Sequence, residues 1–231
     1  MVMTHLHADH VGWNTTWQDN RWVPTFPNAR YYLPKDDFVF CDEGRNKEPG
    51  VVDVFGESFF DSVMPVVNEG LAEMMMPGQE IAGCLQVESA VGHSPGQVVF
   101  RARSHGEEAI FCGDILHSPL QIVLPQVNSG YCIRPDLARS TRLSFLNQAA
   151  DSEALILPVH FGEPYCGYVR RQVPASPSNR PRGSNGTGCR TSMAPRACAP
   201  FRHTPHYRSR AGGYDRGSMS LPRDQQHAGS L

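Results

Sequence analysis

Four residues near the amino terminus, His5, His7, Asp9 and His10, carry metal-binding side chains within six positions of one another. On an extended chain, residues two apart point to the same side, so His5 and His7 can share one ion while Leu6 faces the core. Asp9 and His10 are adjacent and cannot join that pair without a turn between them. The spacing therefore predicts two neighbouring metal positions, one at His5 and His7 and one at Asp9 and His10.

Four ligands are too few for two ions, and three further candidates follow along the chain. They are His93 in GHSPG, Asp114 in CGD and His160 in PVHF. Each follows a short apolar run and stands beside glycine or proline, as expected where a strand end presents one side chain at the edge of a sheet. Imidazole and carboxylate ligands suit Zn²⁺ foremost, and Fe, Mn and Co accept the same donors.

The elements that must position these residues are read from hydrophobic periodicity. Short apolar runs predict strands over 1–4, 29–33, 84–91, 97–102, 109–112 and 154–157, with a hairpin turn at 105–107. Helical spacing predicts a helix over 135–150 and a helical pair over 55–76 that divides at Pro65. Residues 13–34 are interpreted as a long irregular excursion that ends in the short strand over 29–33. Strands in runs interrupted by helices favour a layered mixed α/β domain.

Charge divides the chain into two parts. Residues 1–172 carry a net charge of −9 and residues 173–231 a net charge of +7. The second part has seven prolines, seven glycines and only four residues from Leu, Ile, Val and Phe. It cannot bury enough apolar surface to offset its ordering entropy. We therefore predict one domain over 1–171 and a disordered tail, rich in Pro, Arg, Ser and Gly, over 172–231.

The tail has two interpretations. Residues 166–171 have the pattern of the first strand of a terminal hairpin whose partner does not follow, and Glu, Lys and Ile disappear after them. That change is typical of an out-of-frame reading of a GC-rich gene. The alternative is a basic segment that binds nucleic acid through weak, salt-sensitive charge contacts. Composition favours the first interpretation, so nucleic acid is not an expected partner.

Localisation is inferred from what the sequence lacks. No apolar run reaches the roughly 18 residues of a membrane span, and the chain does not open with a basic and then an apolar stretch. Seven cysteines without a repeated spacing fit a reducing compartment. We expect a cytoplasmic protein with no membrane partner; its oligomeric state is not encoded in these patterns.

The motifs together resemble the metallo-β-lactamase-fold hydrolases. The family's H-x-H-x-D-H corresponds to residues 5–10, its G-H-[ST]-P-G to 92–96, its G-D to 113–114 and its last histidine to His160. THLHADHVGWN and PVHFGEPYCGYV are similar to the branch of methyl-parathion-hydrolase-like enzymes and quorum-quenching lactonases. The resemblance covers residues 1–171. It implies a four-layer αββα fold, incomplete at its start because family members carry strands upstream of the first motif.

The resemblance also implies roles for the candidate residues. One ion would be held by His5, His7 and His93, the other by Asp9, His10 and His160, with Asp114 bridging the two. In this family two Zn²⁺ ions hold a hydroxide that attacks a carbonyl or phosphoryl centre, which implies a zinc-dependent hydrolase of a lactone, ester or organophosphate. Asp9 would also be catalytic, as proton donor to the leaving group. The implied partner is a small-molecule substrate.

The residues leave several alternatives open. The bridging Asp114 disfavours antibiotic hydrolysis, because true zinc β-lactamases lack it. A glyoxalase-II-like thioester hydrolase shares the ligands, but nothing after His160 resembles a glutathione-binding region. An inactive fragment or a non-catalytic, nucleic-acid-associated protein lies outside the class. His117 is equally interpreted as site lining or packing. The aromatic residues of the 13–34 segment are interpreted as a pocket wall or a cap over the core.

Overall fold

A computed structural model describes residues 1–44, 56–171 and, as backbone, 191–194. The strands in these ranges are β1 (Thr15–Gln18), β2 (Arg21–Pro24), β3 (Tyr31–Pro34), β4 (Ala72–Met75), β5 (Glu80–Ile81), β6 (Leu85–Ser89), β7 (Val98–Ser104), β8 (Glu107–Gly113), β9 (Leu155–Pro158), β10 (Gly167–Arg171) and β11 (Thr191–Ala194). The helices are α1 (Ala8–Val11), α2 (Lys35–Gly44), α3 (Met64–Asn68), α4 (Leu120–Val123) and α5 (Pro135–Ser152), with a 3₁₀ turn at Gly12–Asn14 and a π-helical turn at Phe59–Val63. None of these helices has the length and apolarity needed to cross a bilayer.

Two sheets form the centre of the molecule. The larger one has the strand order β11-β10-β9-β8-β7-β6-β5. Its neighbours are antiparallel except for β8 and β9, which are parallel. The smaller sheet pairs β3 with β4 in parallel. A parallel pair needs a crossover between its strands, and α5 supplies it for β8 and β9.

Three apolar clusters separate the layers. The first joins α5 to one face of the large sheet and includes Ile110, Phe145, Leu146, Ala149 and Ile156. The second joins the two sheets and includes Met75, Val87, Val98 and Phe100. The third joins the small sheet to the segments around α2 and α3 and includes Leu6, Leu33, Phe59, Val63 and Val66. The order is helix, sheet, sheet, helix, which confirms the predicted αββα layering.

Several predicted elements are present. The helix predicted over 135–150 is α5, and the predicted hairpin is β7 and β8, whose turn has positive φ at His105 and Gly106. The strand predicted over 154–157 is β9, displaced by one residue. These elements are specified by local periodicity or by a short turn, and both are visible in a single stretch of sequence.

Three local predictions are wrong. The predicted excursion over 13–34 does end in a strand, β3, but the part before it is not irregular. There β1 and β2 form a hairpin around Asp19 and Asn20, whose φ angles of 49° and 61° suit a two-residue turn. The end of the predicted helical pair is the strand β4, which tertiary pairing with β3 imposes on the Met74–Met75 region. The strand predicted over 1–4 is a single bridge between Val2 and Tyr32.

The segment after β10 also differs from expectation. Strand β11 pairs antiparallel with β10, from Tyr168 opposite Ala194 to Arg171 opposite Thr191. The expectation that the hairpin strand over 166–171 has no partner is therefore wrong. The remainder of the predicted tail over 172–231 lies outside the described residues, and the domain boundary at 171 stays a prediction.

Arg142 on α5 is a buried cation that holds the segment linking β8 to α5. Its side chain is 1% exposed. Its Nε donates to the carbonyl of Ile115 at 2.8 Å. Its Nη1 donates to the carbonyls of Pro125 and Val127 at 2.7 and 3.1 Å, and to Oδ1 of Asn128 at 3.0 Å. Because one guanidinium satisfies several buried acceptors, it fixes a segment that has little regular structure.

We expect Arg142→Ala to lower the free energy of unfolding by about 2–4 kcal/mol, because the carbonyls of Ile115 and Pro125 lose their donor and that of Val127 keeps only Gln121. Urea denaturation followed by circular dichroism measures the loss. Arg139→Ala is the control, since Arg139 is half-buried on the same helix and pairs only with the exposed Asp136 among the contacts the structure gives it. Its loss should stay below about 1 kcal/mol. Equal losses for the two variants would contradict this role.

Candidate metal centre

The first motif lies where an extended backbone enters one turn of helix. His7 is extended, with φ −62° and ψ 154°, and α1 begins at the next residue. The side chain of Leu6 is 1% exposed and belongs to the apolar cluster beneath the small sheet. The helical turn separates Asp9 and His10 from the two earlier histidines, as their adjacency required.

The remaining ligand candidates come from loops at strand ends. His93 lies between β6 and β7, Asp114 directly follows β8, and His160 lies two residues beyond β9. Since β8 and β9 are parallel, their carboxyl ends meet at the same edge of the sheet. Asp114 and His160 therefore lie together, with Nε2 of the histidine 3.2 Å from Oδ2 of the aspartate.

Asp114 is the point where the histidine rings converge. Its side chain is 3% exposed. Five ring nitrogens surround its oxygens: His10 Nε2 at 3.1 Å, His117 Nε2 at 3.1 Å, His160 Nε2 at 3.2 Å, His93 Nε2 at 3.3 Å and His5 Nε2 at 3.8 Å. Burial raises the pKa of Asp114, but its contacts with these rings outweigh that effect and hold the pKa well below its usual range. The carboxylate is therefore ionised.

The seven residues predicted from sequence fall into two groups of close ligand atoms. One group is His5, His7 and His93, and the other is Asp9, His10, Asp114 and His160; within each group the atoms lie within 4.8 Å of one another. In the first group His93 Nε2 lies 2.9 Å from His7 Nδ1. In the second, His160 Nε2 lies 3.5 Å from Asp9 Oδ2. These two groups correspond to the two positions that the spacing along the sequence predicts, and a third, overlapping group consists of His93, Asp114 and His117. The role of these residues as metal ligands stays a prediction.

The protonation states of these rings suit a cation. Burial lowers the pKa of His5 and His93 below the ordinary value and that of His7 to about 3. The three rings of the first group are therefore neutral at physiological pH, and a neutral ring has a nitrogen lone pair to offer. Burial also acts to lower the pKa of His10, but the carboxylate of Asp114 outweighs it and raises that pKa.

The surroundings of the His5 ring show whether a metal ion fits among these residues. The Nε2 of His5 is buried and has no hydrogen-bond partner in the described part of the chain, while its Nδ1 lies 3.1 Å from Thr4 Oγ1. A buried polar atom without a partner is costly, and a cation at this position would remove that cost. Tetrahedral Zn²⁺ with bonds of about 2.0–2.1 Å separates its ligand atoms by roughly 3.3 Å, within the spread of the separations above. The residues present therefore fit a divalent metal ion.

A cavity of about 630 Å³ opens onto these ligands. Its walls are His7, Ala8, Asp9, His93, Asp114, His117, Ser129, Tyr131 and His160. His117, which the sequence left between lining and packing, is in the wall, and its ring stacks on that of His160 with centroids 5.4 Å apart. Ser129 and Tyr131 were not predicted, because their segment has no motif or period. The exposed aromatic residues Trp13, Trp17, Trp22 and Phe26 are not part of these walls.

The loop that carries His93 packs directly against two helices. A Cβ at Gly92, whose φ is +134°, would overlap the backbone of Ala138 in α5. A Cβ at Gly96 would overlap the backbone of Asp37 in α2. Both glycines of the G-H-S-P-G motif are therefore required by close approach of the backbone, and this packing fixes the position of His93 between them.

Comparison with known proteins agrees with this geometry. The model of the Metallo-beta-lactamase superfamily matches residues 1–160. Among solved structures, the chain is similar to the hydrolase AbOPH of the beta lactamase superfamily, with 26% identity and a TM-score of 0.69 over 84% of this chain and 62% of that one. It is also similar to AidC, a dizinc quorum-quenching lactonase solved with its product N-hexanoyl-L-homoserine, with 20% identity and a TM-score of 0.65 over 85% and 63%.

The extent of these matches is uneven. The chain spans less than two thirds of the length of either structure. No curated protein matches it. The superfamily match, however, covers more than half of the chain and includes all seven candidate ligands, from His5 to His160. By that match, and by a fold and ligand arrangement that agree with it, the chain belongs to the metallo-β-lactamase superfamily.

Proposed function

We propose that this protein is a binuclear, zinc-dependent hydrolase that opens a lactone, an ester or an organophosphate. One observation carries the proposal. The buried carboxylate of Asp114 lies within 3.1 to 3.8 Å of five imidazole nitrogens, in the wall of a cavity large enough for a small molecule. A buried acid surrounded by metal-binding side chains and open to a substrate-sized space is the arrangement that metal-assisted hydrolysis requires.

The two ligand groups define where the ions would be held. His5, His7 and His93 would hold one cation, Asp9, His10 and His160 the other, and Asp114 both. Two cations so placed would lower the pKa of a bound water toward neutrality and polarise the carbonyl or phosphoryl oxygen of the substrate. Zn²⁺ is the proposed metal, and Fe, Mn and Co accept the same ligands.

Asp9 is the residue best placed to handle a proton. Its side chain is 59% exposed and lines the cavity, so its carboxyl is accessible both to solvent and to a molecule bound there. Its Oδ2 lies 3.4 Å from His10 Nε2 and 3.5 Å from His160 Nε2, which holds the carboxyl at the edge of the second group. From that position a proton on Asp9 can pass to the leaving oxygen as its bond breaks.

The substrate is proposed to be a small molecule with a reactive carbonyl or phosphoryl group. Ala8 and the ring of Tyr131 line the cavity beside the ligands and offer apolar surface to an acyl or alkyl chain. AidC, which shares the fold, was solved with an acyl-homoserine product. This relative supports N-hexanoyl-homoserine lactone as the first substrate to assay.

Zinc stoichiometry tests the two ion positions. We expect metal-free protein to take up about two Zn²⁺ per chain, and its unfolding temperature to rise with added Zn²⁺, because a ligand of the folded state stabilises it. His7→Ala should lose the ion of the first group and His160→Ala that of the second, leaving about one each. Elemental analysis after gel filtration measures the content.

His105→Asn is the matched control for this titration. His105 is exposed in the β7–β8 turn, and asparagine tolerates its φ of 51°. The control should bind as many ions as the unaltered protein. Unaltered protein that binds no zinc would refute the metal centre, and equal binding by His7→Ala, His160→Ala and the control would refute the ligand assignment.

Turnover tests the role of Asp9. We expect Asp9→Asn to lower kcat by about 10²–10⁴ for N-hexanoyl-homoserine lactone, whose alkoxide leaving group needs a proton. The loss should be much smaller for paraoxon or a p-nitrophenyl ester, because nitrophenolate leaves without protonation. Zinc content is measured on the same samples. Equal losses for both substrate types at full zinc content would contradict proton donation, and a fully loaded protein that turns over neither would contradict the proposed function.

A further inference from the structure

Asp37 is a buried carboxylate that belongs to neither ligand group. It lies in the first turn of α2, and its side chain is fully buried. Its Oδ2 accepts hydrogen bonds from the backbone N–H of Leu6 at 3.0 Å and from Oγ of Ser94 at 2.8 Å. Its Oδ1 accepts a hydrogen bond from the backbone N–H of Gly96. No motif or period in the sequence points to this residue, which is 31 positions from Leu6 and 59 from Gly96.

These three donors come from the two segments that carry the first ligand group. Leu6 lies between His5 and His7, and Ser94 directly follows His93. One carboxylate is therefore hydrogen-bonded to both segments whose histidine side chains would meet at a single ion. The backbone of Asp37 also packs directly against Gly96, so closely that a Cβ on Gly96 would not fit between them.

The chemistry of the contact requires a carboxylate. Both oxygens of an ionised aspartate accept, and each one here faces at least one donor. An asparagine would turn an NH₂ group toward one of these donors, whichever way its amide is placed. Burial raises the pKa of Asp37 to about 6, against the three hydrogen bonds, which lower it. An apolar residue would avoid this desolvation, so the carboxylate contributes alignment more than core stability.

We propose that Asp37 is a positioning residue that aligns His5, His7 and His93 to hold a metal ion. The inference rests on the proposed function, since it takes the first ligand group to be an ion site. It assigns no contact between Asp37 and substrate. Its consequence is that a change at Asp37 weakens one ion position and spares the other.

The test measures the two ion positions separately, by introducing each change at Asp37 into two variant proteins that each lack one position. In His160→Ala protein only the first group is left to hold an ion, and in His7→Ala protein only the second. We expect Asp37→Asn to weaken Zn²⁺ binding by about 10- to 100-fold in the first background and to leave it unchanged in the second, as for other residues that orient ligands. Competition with a chromophoric chelator measures both affinities. The Co²⁺ absorption spectrum of the first position should also shift, which a role in folding alone would not produce.

Two further variants keep the test decisive. Asp36→Asn removes the same charge from the neighbouring residue, whose side chain is exposed, and should leave both affinities unchanged. Ser94→Ala removes one of the three hydrogen bonds with little change in volume, and should weaken only the first position, by less than Asp37→Asn does. If Asp37→Asn does not fold, by circular dichroism, Ser94→Ala decides the matter.

The outcomes distinguish the two proposals. Normal Zn²⁺ affinity at the first position in folded Asp37→Asn protein, or in Ser94→Ala protein if the former does not fold, would overturn the role of Asp37 and leave the proposed function intact. Equal weakening in both backgrounds would overturn it as well. Absence of zinc binding by the unaltered protein would instead refute the proposed function, and this inference with it.

Discussion

The Asp114 carboxylate is buried where the parallel strands β8 and β9 end, and the arrangement around it follows from its charge. A buried carboxylate is unfavourable unless groups that favour the ionised form surround it. Here five imidazole rings from four separate segments do so, and the pKa of Asp114 falls well below its usual range. The segments can meet only if the two sheets and their flanking helices are packed as they are. The candidate site therefore forms only when the layers of the fold are packed in this arrangement.

Around this centre, a second set of contacts fixes the segments that carry its ligands. Helix α2 contacts the His93 loop through Gly96, and α5 contacts it through Gly92. Arg142 on α5 holds the segment between β8 and α5, which supplies His117 and Tyr131 to the cavity. Ligand histidines need their orientation set from outside, since ring nitrogens bind a metal ion only over a narrow range of angles. Buried polar residues, Arg142 among them, contribute to this positioning.

The proposed chemistry uses the difference between the two ligand groups. The first group is three buried, neutral rings, which would bind a cation without releasing a proton. The second includes Asp9 and His160, which are partly exposed at the cavity. His7 and His93 of the first group also line that cavity, but the more exposed side chains are those of the second group, which includes the proposed proton donor. The proposed roles depend on this difference in exposure, since the buried rings would only hold an ion and the exposed Asp9 would also donate a proton.

The sequence by itself determined the set of candidate ligands and much of the local structure. Residues 5–10 are spaced so that two histidines share a side and the next two ligands need a turn, and helix α5 and the β7–β8 hairpin follow from period and turn residues. The tertiary structure decided the rest. It placed His117 and Tyr131 in the cavity, made a strand of Ala72–Met75 and brought Asp37 between two ligand segments. Local patterns record only which side a residue faces, whereas these features depend on which distant segment packs against it.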